Sequence, residues 1–224
     1  VFVMWDSELG GYVYPTAPEY EQLSQFNGPR PRENQIVSPP GRRFRFEMGD
    51  LEQSDETPWL FLSETIMESS GKQIRAFARA RGFRIAAIFY DAIPVLRPDL
   101  VKDARIRENH ASYMRGLADC DLVIPISEFS EQCLRKFWDE QLVAPTSVVT
   151  TLLPAEFDGV TRQPINKQVG KKATSILCVS TLEPRKNHIR LLDAVKALRE
   201  RRPDLDFSLT LVGNRYAGGD YIAE

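Results

Sequence analysis

The sequence predicts an α/β protein with parallel sheets. From Trp59 onward, short apolar runs alternate with longer segments that have the period of a helix. The apolar runs, among them WLFLSE, FRIAAIFY and DLVIPIS, are hydrophobic on both faces. Strands of this kind are typical of parallel sheets, because helices cover such sheets on each side.

Composition limits the kinds of function. The 224 residues are 42% hydrophobic and 27% charged, enough for one large soluble domain or two modest ones. A formal net charge of −2 gives no global positive field, so we expect no nucleic-acid partner. The first residues lack the pattern of a signal peptide and no apolar run has the length of a membrane span, which favours a cytoplasmic protein. Cys120, Cys133 and Cys178 form no C-x-x-C pair, and we expect reduced core thiols.

The first 58 residues are expected to be irregular. Proline and glycine recur there, with Gly10-Gly11 and the run SPPG among the breaks. Only VFVMW and RRFRFEM have strand patterns, the second because Phe44 and Phe46 alternate with arginines.

The regular part predicts alternating strands and helices. A helix is expected near Lys72 to Arg81, ending at Gly82, and another over ENHASYMRGLA. The segment EFSEQCLRKFWDE predicts a helix with Ser127 as its N-cap. Its apolar face is expected to contain Phe129, Cys133, Leu134, Phe137 and Trp138. The segment TSVVTTLL predicts one more strand.

The pattern divides the chain into two domains. Residues 1–157 form the first, and the polar segment 158–173, which has no apolar period, reads as a linker. Residues 174–224 begin a second sheet, with the strand TSILCVS, a helix from about Asn187 to Arg201, and the strand FSLTLVG. No unit closes at the final GGDYIAE, so we expect a piece of a longer protein.

The loop TLEPRKN lies where a ligand is expected. In a parallel α/β sheet, ligands bind outside the carboxyl ends of the strands, next to helix N-termini with free amides. Pro184 helps to end the strand and Asn187 can cap the helix. Arg185 and Lys186 would then add their charges to the helix dipole around an anion such as a diphosphate. The alternative is a solvated basic turn.

Three segments resemble family 4 of the glycosyltransferases. STLEPRKNHIRLLDAVKAL followed by LTLVG resembles the opening of that family's C-terminal domain. IFYDAIPVLRP and DLVIPISEFSEQCL are similar to segments of a branch that builds bacterial O-antigen and related polysaccharides. Together the three cover roughly residues 59 to 213.

The resemblance implies a GT-B enzyme, with two Rossmann-like domains facing across a cleft. It would transfer a hexose, with mannose suggested by the branch, from a nucleoside diphosphate sugar to a growing polysaccharide or lipid-linked glycan. Arg185 and Lys186 would contact the donor diphosphate and Gly213 the nucleotide, unless Gly213 is only a turn glycine. The resemblance also implies retention of the anomeric configuration, no metal and no cofactor beside the donor. A lipid-linked acceptor would bring the protein into peripheral contact with the inner face of a membrane.

Tyr90 and Asp91 fall at the end of the strand FRIAAIFY, so they would face the cleft from the acceptor side and are the candidate catalytic residues. Relatives often have His where Tyr90 stands, so a role assigned to that His does not transfer. Asp91 would orient an acceptor hydroxyl or accept its proton, or would tie down the turn before Pro94.

Other features depart from the family or exclude other classes. The family's paired glutamates, separated by seven residues, would lie beyond the end of the sequence, and Gly10-Gly11 is a poor version of its glycine-rich loop. His110 and His188 lack the spacing of a zinc site, and no dinucleotide-binding, P-loop or G-x-S-x-G motif occurs. The competing class is a non-catalytic Rossmann-like binding or scaffold protein.

Overall fold

The computed structural model describes residues 1–17, 19, 44–51, 55–63, 68–101, 103–153 and 174–214. The chain divides into two compact units, Val1–Glu156 and Phe157–Glu224. The predicted linker, 158–173, lies outside the described residues.

The first unit is mixed α/β, as predicted. Its strands are β1 (Met4–Asp6), β2 (Gly11–Val13), β3 (Trp59–Leu62), β4 (Arg84–Phe89), β5 (Leu122–Pro125) and β6 (Ser147–Val148). The helices whose bounds the structure describes are α1 (Glu68–Ala80), α2 (Ile93–Leu96), α3 (Ala104–Gly116) and α4 (Glu128–Glu140). Strands β3 to β6 form a parallel sheet in sequential order. This sheet is compatible with a Rossmann-like α/β fold.

The core of this unit lies between the sheet and its helices. α1 contacts β4, α4 contacts β5, and α3 packs against both helices. The largest fully buried side chains include Trp138, Phe89, Ile85 and Met114. The indole nitrogen of Trp138 donates to the carbonyl of Met114 at 2.7 Å, which satisfies a polar group inside the core.

Three expectations for this unit need correction. Gly10, at φ +59, lies in the hairpin turn between β1 and β2, so Gly10-Gly11 does not lead into a helix as a phosphate-binding loop would. In the described residues 44–48, the strand expected at RRFRFEM is reduced to a single antiparallel bridge between Arg45 and Val13. The backbone of Phe44 and Phe46 still bonds to β2 and the residue after it, before a 3₁₀ turn begins at Met48. Phe129 is 69% exposed and does not share the buried face of α4.

The boundaries of two other elements differ from those predicted. α1 begins earlier than expected, at Glu68, and is followed by Gly82 at φ +75. Of TSVVTTLL, only Ser147–Val148 is a strand. The chain nevertheless continues beside β5, with the amide of Val149 bonded to the carbonyl of Val123 at 3.0 Å.

The second unit contains one βαβ motif in its described part, as predicted. β7 (Thr174–Val179) and β8 (Phe207–Val212) pair in parallel, and α5 (His188–Arg201) connects them. The parallel pairing places the carboxyl ends of both strands, and the start of α5, at the same edge.

Candidate functional site

The loop between β7 and α5 is held at the carboxyl end of the two strands. The Ser180 amide donates to the Val212 carbonyl, and the Leu182 amide to the Asn214 carbonyl, both at 2.9 Å. Strand pairing therefore continues past the end of β7. Pro184–Lys186 then form a 3₁₀ turn that leads directly into α5. The sequence predicted this position correctly.

Asn187 occupies the N-cap position but does not cap the helix with its side chain, contrary to the sequence prediction. Its backbone is left-handed, at φ 57° and ψ 36°. Asparagine tolerates this conformation better than most residues with a Cβ. Its carbonyl accepts from the amides of Arg190 and Leu191, so the helix starts here through backbone bonds.

The two cations of the loop are not equivalent. The Arg185 guanidinium lies 2.9 Å from the Glu183 carboxylate, with side-chain exposures of 37% and 11%. Lys186 is exposed and forms no ion pair within the described part of the chain. The expectation was that both cations add their charges around an external anion, but Arg185 already has an internal anion.

Glu183 is the buried acid of this loop, and the sequence reasoning gave it no electrostatic role. Its Oε1 accepts from the Thr181 hydroxyl at 2.8 Å and from Arg185. Burial alone would raise the pKa of Glu183. The hydrogen bonds from Thr181 and Arg185, and the charges of Arg185 and Lys186, outweigh burial and hold that pKa below its usual value. The carboxylate is therefore ionised at neutral pH.

His188 and Ser180 form a second polar contact beneath the loop. His188 Nε2 lies 3.0 Å from the Ser180 hydroxyl, and the imidazole is 2% exposed. Its Nδ1 is buried without a partner in the described part of the chain. His188 is the first residue of α5. The contact ties the start of α5 to the end of β7, and no local pattern in the sequence predicts it.

Gly213 has a structural reason to be glycine. A Cβ at this position would come 1.7 Å from the carbonyl oxygen of Ser180, which no side chain can tolerate. The sequence suggested that Gly213 contacts a nucleotide. Where its Cβ would lie, however, the backbone of Ser180 and Thr181 already fills the space. The contact gives Gly213 a packing role, which differs from both the nucleotide contact and the turn glycine expected from the sequence.

Tyr90 and Asp91 lie in the first unit, just after β4. The Tyr90 hydroxyl donates to the carbonyl of Ser63 at 2.5 Å. Asp91 is half-buried, and its Oδ1 accepts from the Ile93 amide at 2.9 Å. Asp91 thus ties down the turn before Pro94, one of the two roles expected for it, and its Oδ2 has no hydrogen bond to the described residues.

Side chains from two helices hold this turn, a feature the sequence reasoning missed. His110 Nε2 lies 2.8 Å from the Asp91 carbonyl, and Ser130 donates to the Tyr90 carbonyl at 2.8 Å. Because a carbonyl only accepts, His110 donates through Nε2. Ser130 in turn bonds to Ser127, whose hydroxyl caps α4 as predicted by accepting from the Ser130 amide at 3.1 Å. The turn is therefore rigidly placed.

The predicted site residues fall into two groups on different units. Tyr90 and Asp91 come together on the first unit, and Arg185, Lys186 and Gly213 on the second. In the described residues, no group of three or more His, Cys, Asp or Glu side chains could hold a metal ion. No helix in the same residues is both long and apolar enough to cross a membrane.

Comparison of the sequence with protein-family models and with curated proteins gives no match to either.

Proposed function

We propose that this chain acts as a glycosyltransferase of the GT-B type. It transfers a hexose, with mannose as the first candidate, from a nucleoside diphosphate sugar to a growing polysaccharide or lipid-linked glycan. The second unit supplies the contact to the donor and the first unit the contact to the acceptor. The resemblance of three segments to family 4 glycosyltransferases supports the proposal, as do the positions of the loop cations.

One observation carries the proposal. Lys186 presents an exposed ammonium, without an ion pair to any residue that the structure describes, immediately before the first turn of α5. The first amides of a helix have no intrahelical acceptor and carry partial positive charge. A cation and a helix N-terminus at the carboxyl end of parallel strands suit a phosphate group.

The chemistry follows from the charge that develops during transfer. Breaking the bond between the anomeric carbon and the diphosphate leaves negative charge on the departing nucleotide. A fixed cation beside that charge stabilises the transition state more than the ground state. Lys186 supplies this charge directly, and Arg185 supplies it once it releases Glu183. We further propose that transfer retains the anomeric configuration.

Asp91 is the proposed group on the acceptor side. Its Oδ1 is occupied by the Ile93 amide, and Oδ2 remains to accept a hydrogen bond from an acceptor hydroxyl. His110 and Ser130 hold the backbone on either side of the carboxylate, so the oxygen needs little reorganisation to receive the hydroxyl.

A non-catalytic binding protein is the second candidate, and one observation favours it. Asp91 and Arg185 each bond to a group of the same chain, Ile93 and Glu183. If these bonds persist with ligand present, both side chains are structural, and Lys186 binds a nucleotide without turnover.

A donor panel distinguishes the two candidates. The full chain is incubated with nucleoside diphosphate sugars that differ in base and sugar, while the melting temperature and the release of free nucleoside diphosphate are followed. An enzyme gives stabilisation by one donor together with release that Lys186→Ala reduces. Stabilisation without release supports the binding protein. If no donor stabilises the chain or is consumed, the proposal fails.

A further inference from the structure

We propose that Glu183 sets the affinity of the loop for a diphosphate by holding Arg185 as an internal anion, which the ligand must displace. This inference rests on the proposed function, because it concerns the same diphosphate contact. It adds a determinant of affinity that neither the sequence pattern nor the position of the cations supplies.

The geometry identifies which partner of the ion pair is fixed. The Glu183 side chain is 11% exposed and is held by the Thr181 hydroxyl at 2.8 Å. The Arg185 side chain is 37% exposed, and in the described residues its only ion pair is with Glu183. An incoming anion therefore meets a guanidinium that can turn outward, while the carboxylate stays in place.

The charges of the loop predict whether removal of the Glu183 charge strengthens or weakens diphosphate binding. Glu183, Arg185 and Lys186 carry −1, +1 and +1, so the loop has a net charge of +1 with the pair intact. When Arg185 turns to a diphosphate, Glu183 loses a partner while remaining largely buried. A buried carboxylate that loses its cation is destabilised, and this cost is subtracted from ligand affinity. Removing the carboxylate's charge removes the cost.

Glu183→Gln is the informative substitution. Glutamine has nearly the same shape and keeps a carbonyl oxygen for the Thr181 hydroxyl, so the loop keeps its local hydrogen bond. The probe is inorganic pyrophosphate, titrated calorimetrically into the full chain at constant ionic strength. We expect binding to tighten about fivefold, the scale of one partly exposed ion pair.

Two further variants test whether Glu183 acts by competing for Arg185 or only by changing the net charge of the protein. Asp204→Asn removes a charge from another ion pair of the same i, i+2 spacing, Arg202 with Asp204 at 2.7 Å, and should leave pyrophosphate affinity unchanged. In an Arg185→Gln background, most of the gain from Glu183→Gln should disappear, because the two residues act through one contact.

Each outcome decides a different point. Tighter binding that depends on Arg185 supports the inference. If wild type binds pyrophosphate and Glu183→Gln binds equally or more weakly, Glu183 does not compete with the ligand, and the inference alone is overturned. An equal gain in the Arg185→Gln background also overturns it. Absence of binding in wild type and in every variant overturns the proposed function and the inference together.

Discussion

The carbonyl oxygen of Ser180 lies where a side chain on Gly213 would have to begin. The separation of that oxygen from an ideal Cβ would be 1.7 Å. Ser180 follows β7 and Gly213 follows β8, and the Ser180 amide is bonded to the Val212 carbonyl. The close approach of the Ser180 carbonyl to Gly213 is therefore part of the backbone pairing that holds the loop at the carboxyl ends of β7 and β8.

Gly213→Ala should strongly destabilise the second unit. The added methyl group meets backbone, which cannot move aside like a flexible side chain, so we expect a loss of about 1–3 kcal/mol or more. The measurement is urea unfolding followed by a probe in the second unit. Gly49→Ala, followed with a probe in the first unit, is the control, because nothing lies within 4 Å of a Cβ there. If Gly213→Ala and Gly49→Ala change the free energy of unfolding equally, the close contact between Ser180 and Gly213 is contradicted.

Asp121→Asn should reduce the stability of the first unit in a manner that depends on pH. Oδ2 of Asp121 accepts from the Ile85 amide at 2.7 Å and pairs with Arg79 at 2.9 Å. Burial raises the pKa of Asp121, but the bonds to Ile85 and Arg79 outweigh it and leave the pKa below 3.8.

The depressed pKa of Asp121 determines how the stability difference between wild type and Asp121→Asn changes with pH. The wild-type contribution is complete above the unfolded pKa of about 3.9 and is lost as the pH falls through the lower folded pKa. The difference in stability between wild type and Asp121→Asn should thus be constant near neutrality and shrink below about pH 4. Urea unfolding at several pH values measures it. Glu140→Gln, in an exposed pair with Lys136 at 3.7 Å, is the control. A difference that grows on acidification would refute the role of Asp121.

Cys120 should resist alkylation in the native protein. Burial raises the pKa of its thiol to about 11, so little thiolate is present at pH 8. The measurement is mass spectrometry of the three cysteines after timed iodoacetamide treatment, with a denatured sample as the reference. We expect Cys120 to react more slowly than Cys133, which is only half-buried. Reaction at the same rate would show that the core opens around α3 and β5.

Asp91→Asn separates the two roles of that carboxyl group. Asparagine keeps an oxygen for the Ile93 amide but loses the negative charge, so stability should be nearly unchanged. If Oδ2 accepts a proton from the acceptor, turnover should fall about 10²- to 10⁴-fold. The comparison requires the donor found in the panel, with unfolding measured in parallel. Full turnover would leave Asp91 only its role in the turn.

The arrangement of the main elements followed from the sequence because local patterns determine it. Apolar runs marked β3, β4, β5, β7 and β8, and Ser127 marked the start of α4 by hydrogen-bond chemistry. The strand expected at RRFRFEM is confirmed only in part. In the described residues 44–48 the backbone pairs with β2 through one bridge at Arg45, and alternation of Phe44 and Phe46 with arginines does not reveal the turn that starts at Met48.

The contacts within the site were less predictable, since they join residues distant in sequence or depend on backbone conformation. Nothing local indicates that His110 bonds to the Asp91 carbonyl, or that the Ser180 carbonyl fills the space at Gly213. The left-handed backbone at Asn187 removed an expected side-chain cap. One missed contact had a local signal, because Glu183 and Arg185 are close in sequence and opposite in charge.

The most direct test of the account is the affinity of the full chain for a nucleoside diphosphate, with and without the Lys186 ammonium. Calorimetric titration with GDP and UDP should give saturable binding by wild type, weakened about tenfold or more in Lys186→Ala, a loss typical of a charged contact. Lys196→Ala, which changes an exposed lysine within α5, is the matched control and should bind like wild type. If Lys186→Ala also binds like wild type, or if wild type binds neither nucleotide, the loop is not a diphosphate site.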